Sequence, residues 1–348
     1  MMTRLRLSVA AAFFLVCAMG LAALEAREGL IKIVVDETSA RFSLFRLIDI
    51  AKDRYAPLFF DLDPRTTSLT LSFEGRQYRL GDSSEFRQSV TRTDSGVSIE
   101  FRSAFARVTE RLDFARSAGA AIADGIRLSL ETENVSQKSA SVGLRLLMDT
   151  SLAEKSGIHF RLPDLEKMTN ETLFEGSSIP NWMETPGDTA DFMIQFTGDG
   201  LVAPDRVHFA NWKRLNEAPW ILDASNARNF TLLPYSVNDS AVAIYWLPKN
   251  LAPGAKSSQT IAMGAFNDKG YPLAQAGDKG TEDLFSKTVL NQSSSTDKKT
   301  QMESDLLAVR DLLTRIDLVL SSGTQPTTDE IAAWKKILDL LEERKKGY

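Results

Sequence analysis

The chain has 348 residues, of which 43% are hydrophobic, and its formal net charge is −5 at pH 7. This length is sufficient for a large buried core. The 41 basic and 46 acidic residues include no basic block that could follow a phosphate backbone, which argues against nucleic acid as a partner. A single cysteine excludes an intramolecular disulfide.

Residues 1–26 have the pattern of a secretory signal peptide. Two arginines precede an apolar run over residues 7–24, and small residues follow, with cleavage expected near Ala26. The only cysteine, Cys17, lies in this segment, so the mature chain would have no thiol. The alternatives are an uncleaved anchor and a lipoprotein, because the four residues ending at Cys17 loosely resemble a lipobox. The sequence therefore predicts a periplasmic or secreted protein that reaches a membrane only if Cys17 is lipidated.

Residues 27–272 predict a mainly β fold, a large antiparallel β-sandwich. Short strands separated by turn residues fill this region, and several alternate apolar with polar side chains, as at 97–101 and 126–131. No stretch shows sustained helical periodicity, which favours a sandwich. The predicted strands are 30–35, 41–46, 68–73, 77–80, 97–101, 106–114, 126–133 and 141–150, with 240–247 and 259–266 as a closing hairpin.

Four short motifs in this region resemble a known group of proteins. They are residues 142–150, Gly157-Ile158-His159-Phe160, Asn211-Trp212 and residues 238–241. On these residues the chain resembles a group of exported bacterial proteins of unassigned function. Their β-rich body is similar to the galactose mutarotase-like supersandwich of many carbohydrate-active proteins. The resemblance covers roughly residues 29–270 and implies a supersandwich-like fold. It does not imply mutarotase activity, which depends on a histidine pair and a glutamate that this sequence does not match.

No catalytic or metal-binding pattern stands out. His159 and His208 are the only histidines, and neither has metal-ligand spacing. The sequence has no nucleophile elbow, phosphate-binding loop or dinucleotide fingerprint. Among 46 acidic residues, pairs that could act on a glycosidic bond can be chosen anywhere, so none is selected. The sequence predicts no catalytic residue, metal or cofactor, and leaves enzyme activity open.

Tryptophans cluster in the second half of the sandwich region, with asparagine, lysine and arginine beside them. They could form a flat platform on which a glycan stacks, or they could fill the core of a large sandwich. The residues of such a platform would be Trp182, Asn211, Trp212, Lys213 and Trp220.

The C-terminal part differs in character from the sandwich. Residues 273–300 predict a polar linker, and residues 301–348 predict a helical hairpin with a capping-box pattern before its second helix. Intervals of four and three separate the apolar residues of the first helix, as in a heptad seam. That seam is Met302, Leu306, Val309, Leu313, Ile316 and Leu320, and the second stripe is Ile331, Trp334, Leu338 and Leu341.

Two interpretations of these stripes remain open. They could pack on each other or on the sandwich, or they could form a docking or oligomerisation element. In the second case the partner is an envelope protein or a second copy of the chain. The partner-binding residues would then be Leu306, Val309, Leu313, Ile316, Trp334 and Leu338.

Two functional hypotheses follow. The leading hypothesis is an exported, non-catalytic binding or scaffold protein of the cell envelope, with the helical tail as its docking element. The alternative is a carbohydrate-binding or carbohydrate-active β-sandwich protein that uses the aromatic platform.

Overall fold

The computed structural model describes residues 23–50, 52–60, 64–118, 120, 122–150, 157–187, 189–230, 239–273, 302, 305–310, 312, 313, 316 and 325–347. Most of the predicted signal peptide and nearly all of the predicted linker lie outside these residues, as does Leu320 of the predicted seam.

The described strands pair only in antiparallel fashion. They are β1 (Ala23–Glu28), β2 (Ile31–Asp36), β3 (Arg41–Asp49), β4 (Arg54–Pro57), β5 (Ser68–Phe73), β6 (Arg76–Arg79), β7 (Arg87–Thr93), β8 (Gly96–Arg102), β9 (Ala106–Ala115), β10 (Gly125–Asn134), β11 (Ala140–Asp149), β12 (Phe160–Leu162), β13 (Leu165–Met168), β14 (Thr172–Glu175), β15 (Trp182–Thr185), β16 (Phe192–Gln195), β17 (Arg206–Ala210), β18 (Ala241–Leu251) and β19 (Lys256–Ala265).

These strands form three sheets. A nine-stranded sheet has the order β13-β12-β15-β16-β19-β10-β9-β8-β7, and a six-stranded sheet has the order β14-β17-β18-β11-β5-β6. The first four strands make a separate meander, β1-β2-β3-β4. The described helices are α1 (Trp212–Glu217) and α2 (Thr328–Lys345), two short 3-10 turns (Pro64–Thr66 and Gly176–Ser178), and helical residues between 302 and 316. The prediction of a mainly β, sandwich-like fold with a C-terminal helical part is confirmed.

One hydrophobic core joins all three sheets. Strand alternation produces it, because inward side chains at every second position are apolar, as with Ile126, Leu128 and Leu130 on β10. Residues of the meander, among them Ile33 and Leu44, belong to the same core. The meander is therefore part of the packed body.

The predicted closing hairpin is wrong. β18 lies between β17 and β11 in the six-stranded sheet, whereas β19 lies between β16 and β10 in the nine-stranded sheet. The turn at 252–255 therefore connects the two layers. Each strand has two neighbours in its own sheet, so no backbone edge is left for the two to pair with each other.

Tyr271, near the end of the described residues that follow β19, is held against the nine-stranded sheet. Its hydroxyl donates to the carbonyl oxygens of Ala265 (2.8 Å) and Asp124 (3.2 Å), and the residue is 1% exposed. Gly125 makes this possible, since a Cβ there would lie 2.4 Å from a ring carbon of Tyr271.

Glu110 is a carboxyl group in the core. It lies on β9, is 2% exposed, and lines a cavity of about 10 Å³ together with Arg41 and Thr67. Burial raises the pKa of Glu110 to about 8. The side chain is therefore mostly protonated at neutral pH.

We expect Glu110→Gln to change how stability depends on pH. Between pH 4.5 and about 8 the folded protein keeps a proton that the unfolded chain has released, so wild-type stability falls as the pH rises through this window. The slope approaches about 1.4 kcal/mol per pH unit and vanishes above the folded pKa. Glutamine is neutral throughout, so the variant should lack this decline in urea unfolding measured across the window.

The control for this prediction is Glu217→Gln, at an exposed position on α1. It should follow the wild-type pH profile. An unchanged pH slope in Glu110→Gln would show that Glu110 is ionised in the folded protein.

Candidate functional site

The residues predicted to bind a ligand lie mainly on a short helical cover over the outer face of the six-stranded sheet. Asn211, 3% exposed, begins α1 as its N-cap, because its side-chain oxygen accepts from the backbone N–H of Lys213 at 3.0 Å. Its amide nitrogen donates to the carbonyl oxygen of Asp239 at 2.8 Å. The helix ends at Glu217 with Ala218 as its C-cap, because the following Pro219 disfavours helical backbone at Ala218. Asn211 thus has a structural role in which its amide is already bound.

Arg145 holds the end of this cover. The residue projects from β11 on the outer face and is 4% exposed. Its guanidinium donates to the carbonyl oxygens of Ala218 and Trp220, both at 2.9 Å. Burial lowers the pKa of Arg145, while the neighbouring Tyr245 raises it. Arg145 therefore binds loop carbonyls at the end of the cover.

The tryptophans of the cover are packing groups. Trp212 donates its indole N–H to the carbonyl oxygen of Thr66 at 2.8 Å, and Trp220 meets the ring of Tyr245 edge to face at 5.9 Å. Both are half-buried. Trp246, 2% exposed, is a core residue. Lys213 is exposed at the helix surface.

Trp182 lies elsewhere. It belongs to β15 of the nine-stranded sheet, where it packs edge to face on Phe266 with a centroid distance of 5.1 Å. The neighbouring apolar residues, Met193 and Tyr271, form a cluster separate from the one beneath Trp212 and Trp220. The structure thus brings Asn211, Trp212, Lys213 and Trp220 together, but Trp182 is not part of that surface.

A buried charge cluster lies beside the cover, and sequence reasoning missed it. Glu171 accepts two hydrogen bonds from Arg214, at 3.0 and 3.1 Å, and one from the backbone N–H of Ser225 at 2.9 Å. His208, 1% exposed, places Nε2 at 3.3 Å from the same carboxylate. His208, Arg214 and Ser225 lie 37 to 54 positions after Glu171, so no local motif could reveal their common partner. The cluster ties α1 and the following loop to the sheet.

The other histidine joins the two layers of the sandwich. His159 Nδ1 lies 2.8 Å from the hydroxyl of Ser240, and its ring packs on Phe230 at 4.8 Å. Burial lowers the pKa of His159, and the charge of Lys167 lowers it further. Its imidazole is thus favoured in the neutral form. In the described residues, no three His, Cys, Asp or Glu side chains are placed to share a metal ion.

The apolar stripes of the C-terminal helices form a different kind of surface. Leu306 and Leu313 of the predicted seam are 47% and 56% exposed, whereas Asp305, Ala308 and Leu312 are buried. The seam therefore faces outward. Val309 and Ile316 are partly exposed. Within the described ranges, no helix is both long and apolar enough to cross a membrane.

The second helix shows the same division. Leu341 is buried and Trp334 is half-buried, whereas Ile331 and Leu338 are 50% and 48% exposed. An ion pair between Asp305 and Arg344, 3.2 Å long, connects the two helical segments. The ion pair thus connects the two helical segments, while a set of apolar residues is left on their surface.

Arg310 attaches the first helical segment to the meander. It binds the carboxylate of Asp53 and the hydroxyl of Tyr55, and its guanidinium lies 5.2 Å from the centre of the Tyr55 ring. Lys32 and Arg27 lie over the same ring at 4.7 and 5.6 Å. Three cations around one aromatic ring make a polar anchor.

Next to this anchor is an open groove of about 440 Å³. Its apolar lining comes from Ile50 and the outward seam, and its charged rim comes from the anchor. The lining residues are Arg27, Ile50, Asp53, Leu306, Val309, Arg310 and Leu313. This groove and the adjoining stripes are the candidate functional site.

Comparison with known proteins gives structural likeness only. No protein-family model matches the chain, and no curated protein matches it significantly. A galactose mutarotase related enzyme from Lactobacillus acidophilus shares 9% identity and a TM-score of 0.44, with 72% of this chain and 99% of that chain covered. A galactose mutarotase-like protein from Lactobacillus casei shares 10% identity and a TM-score of 0.41, with 70% of this chain and 100% of that chain covered. An aldose epimerase homologue from C. elegans shares 12% identity and a TM-score of 0.42, with 71% of this chain and 99% of that chain covered.

These structures are galactose mutarotase-like proteins, the group whose fold the sequence was found to resemble. Their identities near 10% and TM-scores below 0.5 carry no argument about what this chain binds or does. The functional conclusion therefore depends on the chain's own surfaces.

We expect Asn211→Ala to destabilise the protein by about 1–3 kcal/mol, because it removes the N-cap of α1 and leaves buried backbone groups unpaired. The matched control is Lys213→Ala, two residues away and exposed, which should change stability by less than about 0.5 kcal/mol. Urea unfolding measures both. Equal stability of the two variants would remove the structural role of Asn211 and reopen a ligand-binding role.

Proposed function

We propose that the protein is an exported, envelope-associated binding protein whose C-terminal helices dock onto a helix of another protein molecule. One observation carries the proposal. Among the described residues, the large apolar side chains that remain exposed are concentrated on the two C-terminal helical segments. Those five are Met302, Leu306, Leu313, Ile331 and Leu338, against four in the rest of the described chain: Leu165, Val202, Ile221 and Leu273.

The arrangement of these side chains favours a helical partner. Met302, Leu306 and Leu313 follow heptad-like spacing along one helical face, and Ile331 and Leu338 are seven residues apart on another. A partner helix that inserts apolar side chains between them would remove both surfaces from water. Exposed apolar groups collected in one region are typical of interaction sites.

The anchor beside the groove supports docking at a fixed place. Arg310 ties the helix to Asp53 and Tyr55 of the body, so the groove between them has a defined wall on each side. A partner that enters the groove would contact both the helix and the meander. The body would then act as a rigid base for the docking helices.

The export part of the proposal rests on the sequence. An arginine-containing flank, a short apolar run and small residues precede β1, as in secretory signal peptides. An exported protein meets its partners in the periplasm or the envelope. The simplest partner helix is that of a second copy, since each copy carries the same exposed stripes.

We expect Leu306→Glu/Leu313→Glu to abolish self-association measured by sedimentation velocity over a range of concentrations. Burial of one leucine contributes about 1.5–3 kcal/mol, so loss of two should weaken the dimer at least about 100-fold. Both side chains are exposed, so the fold should survive the change. Val202→Glu, at a site of similar exposure (45%) on the sandwich, is the matched control and should self-associate like the wild type.

If the wild-type protein is monomeric at every concentration, the next experiment tests binding to other envelope proteins. The same three proteins would then be immobilised and exposed to solubilised envelope fractions. Capture by wild type and Val202→Glu, but not by the double variant, would support docking to a different protein. If neither self-association nor capture responds to the double variant, the proposed function is wrong.

A further inference from the structure

The sequence before β1 offers more than one place for a signal peptidase. Such enzymes require small residues at the first and third positions before the cut. A cut after Ala26 places Leu24 at the third position, which is not small. A cut after Ala22 places Gly20 there, so both required positions are small.

The structure shows that residues 23–26 are part of the folded body. β1 pairs with β2 along its whole length, from Ala23 opposite Asp36 to Glu28 opposite Ile31. Ala26 is 1% exposed and belongs to the main hydrophobic core, and Leu24 packs against that core. These residues therefore contribute burial as well as backbone pairing.

The same residues make contacts beyond the meander. Arg92 on β7 approaches the carbonyl oxygen of Glu25 at 3.5 Å, and Glu25 binds Arg27 through a 2.8 Å ion pair. Arg27 in turn binds Asp53 at 3.2 Å. A cut after Ala26 would remove four of the six residues of β1 and place a new chain end at Arg27.

We infer that the precursor is cleaved between Ala22 and Ala23, so that β1 begins the mature protein. The inference rests on the export part of the proposed function and places the cut four residues earlier than the pattern near Ala26 suggests. This bond satisfies the small-residue requirement and leaves every pair of β1 with β2 intact. A cut after Gly20, with Ala18 at the third position, meets the same two conditions but would leave Leu21 and Ala22 ahead of the strand, so the inferred bond is the one directly before β1.

The test is N-terminal sequencing and intact-mass measurement of the full-length chain, expressed with its own leader in an exporting bacterium and isolated from the periplasm. The expected N-terminus is Ala23. An N-terminus of Arg27 or Leu21 overturns the inference and leaves export standing. An acylated Cys17 also overturns the inference, but keeps the protein in the envelope. An uncleaved chain that begins at Met1 and remains in the cytoplasm overturns both the inference and the export proposal.

Two matched substitutions distinguish the competing bonds. Ala22→Gln places a larger polar residue directly before the inferred cut and should abolish cleavage there. Ala26→Gln places the same residue directly before the competing cut and should leave the Ala23 N-terminus unchanged. Loss of processing in Ala26→Gln, with normal processing in Ala22→Gln, would place the cut after Ala26.

A stability comparison gives a second, independent readout. Chains that begin at Ala23 and at Arg27 are produced without a leader and melted under the same conditions. The chain from Arg27 should melt lower, by on the order of 5 °C or more, because it loses the buried Ala26 and most of the β1 pairing. Equal melting temperatures would show that residues 23–26 are dispensable and would remove the structural basis of the inference.

Discussion

On β11 and β18, the central strands of the six-stranded sheet, successive side chains project to opposite faces, and both faces are buried. Val242, Ile244 and Trp246 enter the core between the sheets, whereas Ala243 and Tyr245 lie on the outer face. An outer apolar face must be covered. The chain covers this face with α1 and the loop that follows it. The polar and aromatic side chains of that region hold this cover in place.

The need to cover the outer face explains the structural roles of the polar and aromatic residues around α1. Arg145 and the Glu171–Arg214 pair hold the cover in place, and Trp212 and Trp220 fill the space beneath it. A group whose hydrogen bonds are already made inside the protein has little to offer a ligand. This is why we place function on the surface of the C-terminal helices and not on the groups that look chemically active in the sequence.

The sequence predicted the long strands well because they alternate over many residues, as in β8 and β10. The strands from β12 to β17 have only three to five residues, too few for a pattern to be distinct. The sequence also could not show which leucines of the first helical segment are exposed, because Leu306 and Leu312 are the same residue type although only Leu312 is buried. The sequence did not indicate β1, because the first residues of this strand continue the apolar run of the predicted leader.

Asp53 connects the two ends of the described chain. It binds Arg27, which follows the buried part of β1, and Arg310, which lies on the helix that bears the exposed seam. Tyr55 lies between the same two arginines and the amine of Lys32. The meander thus holds the helix that bears the exposed seam through the same charged groups that bind Arg27 of β1. The proposed processing site at the N-terminus and the proposed docking surface at the C-terminus therefore lie next to one shared group of charges.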